Sequence, residues 1–392
     1  MHWRATVLLG LFLAALALRP QIVGAGPLIP EMRDDLHLSH AVAGLFGTIP
    51  VLCMGVFALP AVWLARRLGT RSAVALAVGG IGAFGLARAF VPTGAAVVAL
   101  TVPASVGMGL GNALLPAAVK ERFAARPAFA TGVYATGINV GSTVAAAVAV
   151  PIAHLLGGWR ASLGVLSGAT VVLAFVWLWS SRGEPAHVVP PGPPQRLPWR
   201  SPLVWRLVAT FALMSSTFYG LNAWLPASYV ERGWDETSAG ELLAVLNLAS
   251  IPATLLVAAV ADRVPRRRYL MIGATEFLVA VLGIELLPGG GWIWAALAGV
   301  ASGTAFPLVM TLPLDVARRS AAVGAVTAVM LGVGYATSAT CPFVLGAVRD
   351  ATGSFSAAMW VLAGTSAGLL ALVSSLSAAR LRTHAEPSTI VA

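Results

Sequence analysis

Charge is scarce in this sequence. Asp, Glu, Lys and Arg make up 10% of its 392 residues, where a water-soluble domain carries about 25%. So few charges cannot dress a water-facing surface, which excludes an ordinary soluble enzyme, a disordered chain and a coiled coil. Cysteine is nearly absent as well. Cys53 and Cys341 both fall inside apolar runs, where a thiol acts as a small hydrophobe and carries no information on redox compartment. The chain has no HExxH, no GxSxG, no P-loop and no metal-spaced Cys/His set. Neither an enzymatic activity nor a metal or cofactor is therefore expected. His37 and His40 lack the Glu of a zinc-protease pattern and read as solvated loop. Gly80-Ile-Gly82-Ala-Phe-Gly85 spells a dinucleotide fingerprint but follows no strand, and close helix packing by small residues accounts for it.

What the sequence does have is apolar length. Hydrophobic residues make up 58% of the chain and the mean hydropathy is +0.84. Uninterrupted apolar stretches, each long enough for a hydrocarbon core of about 30 Å, cover 5–30, 40–64, 72–91, 95–119, 128–153, 159–181, 203–226, 239–261, 269–287, 292–314, 321–347 and 355–379. They are continuous rather than alternating, so they predict helices and not barrel strands. The expected fold class is an all-α integral membrane protein with twelve transmembrane helices. The formal net charge of +10 would point to nucleic acid in a soluble protein. Here the basic residues sit in short loops beside apolar runs, so the bilayer is their partner and no nucleic acid is expected.

Orientation follows from those residues. With the N-terminus cytoplasmic, one side holds Arg4, Arg66, Arg67, Arg71, Lys120, Arg122, Arg126, Arg182, Arg196, Arg200, Arg206, Arg263, Arg266, Arg267, Arg268, Arg318, Arg319, Arg380 and Arg382. The other holds only Arg33, Arg88, Arg160, Arg232 and Arg349. The asymmetry predicts a multi-pass protein of the inner (cytoplasmic) membrane with both termini cytoplasmic.

The chain also repeats. An offset of 196 residues pairs Pro30 with Pro226, Gly44 with Gly240, Arg67 with Arg263 and Arg71 with Arg267. Each match has a chance of roughly 5–7% from composition, so four at one offset indicate two related halves. Spans one and seven run the same way, so the repeats are parallel: two six-helix halves about an axis along the membrane normal, the major facilitator architecture, with substrate bound between them. The predicted division is a first half over 1–181, a Pro-rich cytoplasmic linker over 182–202, a second half over 203–380 and a cytoplasmic tail over 381–392. The loops Arg66-Arg67-Leu-Gly69-Thr-Arg71 and Asp262-Arg263-Val-Pro-Arg266-Arg267 share a charged pattern. Arg67, Arg71, Asp262, Arg263 and Arg267 are its gating candidates, as charge contacts on neighbouring helix ends that hold one face closed.

Arg19 is the most informative residue. It lies fourteen positions into the first span, roughly 21 Å along a helix, and a charge at that depth costs at least about 2.5–3.5 kcal/mol. A water-filled cavity, polar partners or an anion must compensate. The alternative is a structural Arg tied to backbone carbonyls freed by Pro20. Pro20, Gly24, Gly26, Pro27 and Pro30 make this helix breakable. Tyr219 and Asn222 in span seven are candidate hydrogen-bond donors to a small ligand, with Trp224 as an apolar wall. Asn112, Asn139, Asn247 and Tyr335 are further candidates. Glu276 is the one clearly intramembrane carboxylate. It is a candidate proton carrier, but span nine is expected at the periphery, where a structural role fits better. Arg88, near the outer end of span three, is expected to snorkel.

Four motifs carry a family resemblance. Leu18-Arg19-Pro20 with Gly26-Pro27-Leu28-Ile29-Pro30, Pro116 through Lys120-Glu121-Arg122-Phe123, Phe218-Tyr219 with Trp224-Leu225-Pro226, and Gly303 through Phe306-Pro307-Leu308 to Asp315 resemble the cyanate/nitroimidazole (CynX/NimT) branch of the major facilitator superfamily. That branch often has Asn two residues before its first-helix Arg, where this chain has Ala17. The resemblance implies transport of a cyanate-like anion or a nitroimidazole-like compound. The residues themselves lead to the expectation of a secondary transporter, working as a monomer by alternating access with the solute held between the halves at Arg19. Export of a neutral drug-like heterocycle with a structural Arg19, and a passive channel, are the other readings.

Overall fold

The computed structural model describes residues 2–122, 127–182, 197–260, 266–316 and 320–375, and every regular element among them is helical. In chain order these are α1 (His2–Leu16), α2 (Pro20–Val23), α3 (Ile29–Leu36), α4 (His40–Val56), α5 (Ala58–Phe90), α6 (Gly94–Arg122), α7 (Pro127–Leu156), α8 (Trp159–Ser180), α9 (Pro202–Glu231), α10 (Glu236–Val260), α11 (Arg266–Leu286), α12 (Gly291–Val316), α13 (Ser320–Ser338), α14 (Thr340–Thr352) and α15 (Phe355–Ser375). They make twelve crossings. α1–α3 form the first, interrupted where Pro20 and Pro27 supply no backbone N–H to continue a helix. α4 and the start of α5 form the second. α5 then reverses at Gly69, whose φ of 74° and ψ of 153° suit only a residue without a side chain, and its remainder is the third. α13 and α14 together make the eleventh. Much of the linker (183–196) and the tail (381–392) lie outside the described residues.

Burial explains where each crossing sits. Ten are long and apolar enough to span a bilayer by length and composition. The second passes as the shorter apolar helix α4, extended by α5. The seventh, α9, carries Ser215, Ser216, Thr217, Tyr219, Asn222 and Ser228, which dilute its hydropathy. From Thr210 to Tyr229 only Leu213 and Phe218 escape full burial, so α9 is wrapped in protein and needs no lipid-facing stripe. The first crossing is likewise central: 72% of its most apolar window is buried, against 39–50% for the other nine. α8, α11 and α15 instead expose Val172, Phe175, Ile272, Val279, Trp360 and Val361, as lipid-facing helices do.

The repeat is visible in the packing. Arg71 donates to the Leu178 carbonyl (2.8 Å) and Ser181 Oγ (3.1 Å) at the C-terminal end of α8. Arg267 donates to the Ser374 carbonyl (2.5 Å) at the end of α15. Each cation meets the negative end of a helix, and each stays within its own half. Gly44 and Gly240 mark close approaches between the halves. A Cβ on Gly44 would stand 2.5 Å from the Pro342 carbonyl oxygen, and one on Gly240 would stand 3.1 Å from Pro27 Cβ. Arg67 is exposed, with its guanidinium 5.2 Å from the centre of the Trp63 ring. Asp262 and Arg263 lie outside the described residues.

Small residues therefore set the helix spacing, and the structure separates those that matter from those that do not. A Cβ on Gly141 (α7) would stand 2.2 Å from the Leu16 carbonyl oxygen, whereas one on Gly168 (α8) would meet nothing within 4 Å. Gly141→Ala is expected to destabilise the protein by about 1–3 kcal/mol through overpacking and to lower its melting temperature in detergent. Gly168→Ala leaves the melting temperature unchanged or slightly raised.

Candidate functional site

A cavity of about 320 Å³ lies between the halves. The first half contributes Arg19, Val23, Met54, Asn112, Tyr134 and Asn139, and the second Met214, Phe218, Tyr219, Asn247, Phe306 and Tyr335, among others. Its lining continues through Ala58, Pro116, Thr254 and Met310, so it extends towards the end of the bundle that carries the Gly69 reversal. At the opposite end the halves touch through Gly44 on Pro342 and Gly346 on the His40 carbonyl.

Arg19 sits in the break between α1 and α2, as the residue before Pro20. Only 9% of it is exposed. Its backbone carbonyl accepts from Ile22 and Val23, while its side chain reaches across the halves. Nη1 donates to Tyr219 Oη at 2.8 Å, and Tyr219 Oη in turn lies 3.6 Å from Met54 Sδ. Nε has no partner. Among the described residues no carboxylate pairs with this guanidinium. Tyr219 is held edge-on to Phe218 (5.2 Å between ring centres), and Tyr335 edge-on to Phe211 (4.8 Å). Asn247 donates to the Leu243 carbonyl (2.8 Å), and the hydroxyls of Ser142 and Ser250 donate to carbonyls of their own helices. The result is a cavity with one uncompensated positive charge, several amides and aromatic walls. Such a site can take a negative or strongly polar group at one end and a flat apolar group at the other.

A second buried arginine supports the first. Arg88 is 1% exposed, not snorkelling as its position suggested. It donates to Gln21 Oε1 (2.5 Å) and Thr101 Oγ1 (3.1 Å), and Gln21 Nε2 donates to Ser167 Oγ (3.0 Å). Gln21 belongs to α2, two residues from Arg19, so this network ties the broken segment to crossings three, four and six. Gly85 admits it, because a Cβ there would stand 2.8 Å from both Gln21 Oε1 and Ser167 Oγ. Gly82 packs against Val171 and Ser167 in the same groove. The false fingerprint Gly80-x-Gly82-x-x-Gly85 is thus the bed of a polar network.

A model of the Major Facilitator Superfamily matches residues 7–339. The chain belongs to this superfamily. As a facilitator it is a multi-pass membrane transporter and not an enzyme. The cyanate transport protein CynX of Escherichia coli is 31% identical over 352 residues, covering 89% of this chain and 91% of the relative. A 2-nitroimidazole transporter of the same organism is 29% identical over 360 residues, covering 90% of each. A bacterial homologue of the human lysosomal transporter Spinster shares the fold, with a TM-score of 0.72 at 16% identity over 99% of this chain and 98% of that one.

The facilitator architecture redistributes the residues singled out in the sequence. Arg19, Tyr219, Asn112, Asn139, Asn247 and Tyr335 meet at the cavity. Trp224 does not. Its indole donates to the Pro342 carbonyl (2.8 Å) and its ring packs on Phe355, anchoring α9 to α14 and α15. Asn222 also lies outside the cavity. Its amide donates to the Phe218 carbonyl (2.9 Å), and it borders a separate void of about 10 Å³ beside Gly26, one turn nearer the closed end. Glu276 opens onto an outer groove with Met271, Ile272, Thr275 and Val279 and is not among the residues lining the cavity. His40, expected in a solvated loop, is a packed contact between the halves. Sequence reading passed over Met54, Tyr134, Ser142 and Ser250. Composition held one clue: the chain has only five tyrosines, and Tyr134, Tyr219 and Tyr335 all line this cavity.

The Arg88 network makes a stability prediction. Gln21→Leu strips a buried guanidinium of a hydrogen bond worth about 1.5–3 kcal/mol and should lower the melting temperature accordingly. The double variant Gln21→Leu with Arg88→Met replaces the buried charge and its partner by apolar groups of similar size and should recover much of that loss. Melting curves of the single and double variants check both.

Proposed function

We propose that the chain moves a small anionic or strongly polar solute by alternating access, holding it between the halves at Arg19. The observation that carries this reading is a guanidinium buried beside a cavity with no carboxylate partner among the described residues. Leaving one charge of a buried pair unmatched is costly, so an anion in the cavity completes the site. The halves then close around a neutral pair at lower cost than around a bare cation. The Lys/Arg asymmetry puts the linker end and both termini in the cytoplasm, so this conformation faces inward.

Cavity size narrows the solute class. A volume of about 320 Å³ has room for a cluster of waters or for a planar ring compound. A three-atom anion alone would leave most of it to water. With Tyr134, Tyr219, Tyr335, Phe218 and Phe306 as walls, the cavity suits a nitroimidazole-like solute, whose ring would face the aromatics and whose polar end would face Arg19. A cyanate-like anion meets the same charge, with water filling the rest of the open cavity. The aromatic walls also support a second reading, a neutral heterocycle with Arg19 in a structural role.

In proteoliposomes Arg19→Ala and Arg19→Lys should lower the efficiency of solute uptake by about 10- to 100-fold, the worth of a charge-assisted hydrogen bond. Tyr219→Phe, which removes one neutral hydrogen bond, should cost about 2- to 10-fold. Small anions should compete with a heterocyclic substrate, and failure to compete would favour the neutral reading. Unchanged transport of every tested solute by both Arg19 variants would remove the site. Counterflow of labelled against unlabelled solute separates a carrier from a channel, which shows none.

A further inference from the structure

The ion pairs of this protein divide by chemistry. Among the described residues, those inside one half all use arginine: Arg33 with Asp34, Arg160 with Asp35, Arg232 with Glu285, and Arg349 with Glu231. The two that join the halves both use histidine: His40 with Asp350 (2.7 Å) and His154 with Glu236 (3.4 Å). Contacts that hold a half together cannot titrate near neutral pH, and contacts that must break for the halves to part can.

The His40 cluster is built in detail. Asp350, on α14 of the second half, accepts from the backbone N–H groups of His40 (3.0 Å) and Ala41 (2.8 Å). It thereby caps the first turn of α4 in the opposite half with a negative charge at a helix N-terminus. It also accepts from His40 Nδ1 at 2.7 Å. The other ring nitrogen, Nε2, meets the Arg33 guanidinium. A guanidinium can only donate, so Nε2 accepts and Nδ1 carries the proton. With the hydrogen bonds so assigned, His40 is the neutral tautomer in the closed arrangement. The charged groups facing it are Arg33 on α3, which also holds Asp34, and Asp350 and Arg349 on α14, the latter paired with Glu231 on α9. Trp224 of α9 and Phe355 of α15 wall the ring at 6.0 Å and 5.6 Å.

We propose that His40 and Asp350 form a proton-binding site that holds this end of the bundle shut when empty and releases it when a proton binds. A proton on Nε2 puts a donor and a positive charge against Arg33. Asp350 stays charged over the histidine range and holds the neutral ring in place. The clash with Arg33 is relieved when the halves part and the imidazolium meets water. The His154 pair has the opposite sign, since protonation strengthens it, but it is longer and about half exposed, where ion pairs contribute little. By the Lys/Arg asymmetry the site faces away from the cytoplasm, so acid on that side favours the outward-open state. This inference goes beyond the transport reading and does not depend on what the cavity carries.

The test uses the full-length protein in lipid nanodiscs, with Cys53→Ala and Cys341→Ala and with spin labels on Pro92→Cys and Ala351→Cys. Both positions are exposed and lie at this end in opposite halves, Pro92 in the loop between α5 and α6 and Ala351 in the last turn of α14. Distances are measured by pulsed electron resonance between about pH 8 and about pH 5, across the histidine range. Otherwise unaltered protein should gain a longer-distance population on acidification, with the open-to-closed ratio rising by up to about tenfold per pH unit for one linked proton. His40→Asn, which keeps a donor near the Nδ1 position but cannot titrate, should stay closed throughout, and Asp350→Ala should be open throughout. The distances are read with no transported solute present, which separates a failure here from a failure of the cavity reading. No change on acidification, closure instead of opening, a full response in His40→Asn, or a closed Asp350→Ala would each overturn the proposal. So would loss of the response in His154→Gln alone, which would place the switch at the exposed pair.

Discussion

A buried guanidinium with no counter-charge among the described residues is the constraint on which the centre of this molecule depends. Arg19 can occupy its depth only because the first crossing breaks there. Pro20 ends α1, and the turn carries the side chain to Tyr219 in the opposite half. The partner helix α9 must then be polar enough to receive it, which explains why a helix at the heart of a membrane protein falls short of a lipid-facing span in hydropathy. The break itself needs fastening, and Arg88 with Gln21 and Ser167 fastens it from within the first half. A buried charge is thus tolerated through two concessions, a bent backbone and a polar helix, and both place chemistry beside the cavity.

The two halves solve the same mechanical problem with the same parts. Arg71 and Arg267 each tie the start of a crossing to the carbonyl end of the last helix in its half. Gln21 bonds Ser167 in the sixth crossing, and Thr217, at the matching position of the second half, lies 3.3 Å from Ser366 in the twelfth. Inside each half, permanent charges and interlocked helices favour motion as a unit. Among the described residues, the side-chain hydrogen bonds between the halves run through the Tyr219 hydroxyl, the Asp350 carboxylate and two histidines, beside close approaches at glycines. Contacts this few can be exchanged for water when one end of the interface opens.

The central charge was legible in the chain because a lone arginine deep in an apolar run has few explanations. Its neighbours were legible only in part. Asn222 lies one turn from Tyr219 on the same helix, yet Gly26 lets the backbone of the first crossing fill the space in front of it, and the cavity ends below. Trp224 points another way and serves as a strut. Arg88 looked like an interfacial residue by depth, since nothing local reveals that Gln21, 67 positions away, will meet it. His40 looked solvated because its partner Asp350 lies 310 positions downstream.

Local sums were enough for much of this protein. Apolar length settled the twelve crossings, a fixed offset revealed the repeat, and proline and glycine marked the breaks, because each depends on residues adjacent or regularly spaced in the chain. Which polar side chains share a cavity was decided only by tertiary structure. Lipid and protein interior are equally apolar, so the pattern along a helix does not say which side faces which. The pairs that matter, such as Arg19 with Tyr219 at a separation of 200 residues, exist only once the two halves have packed together.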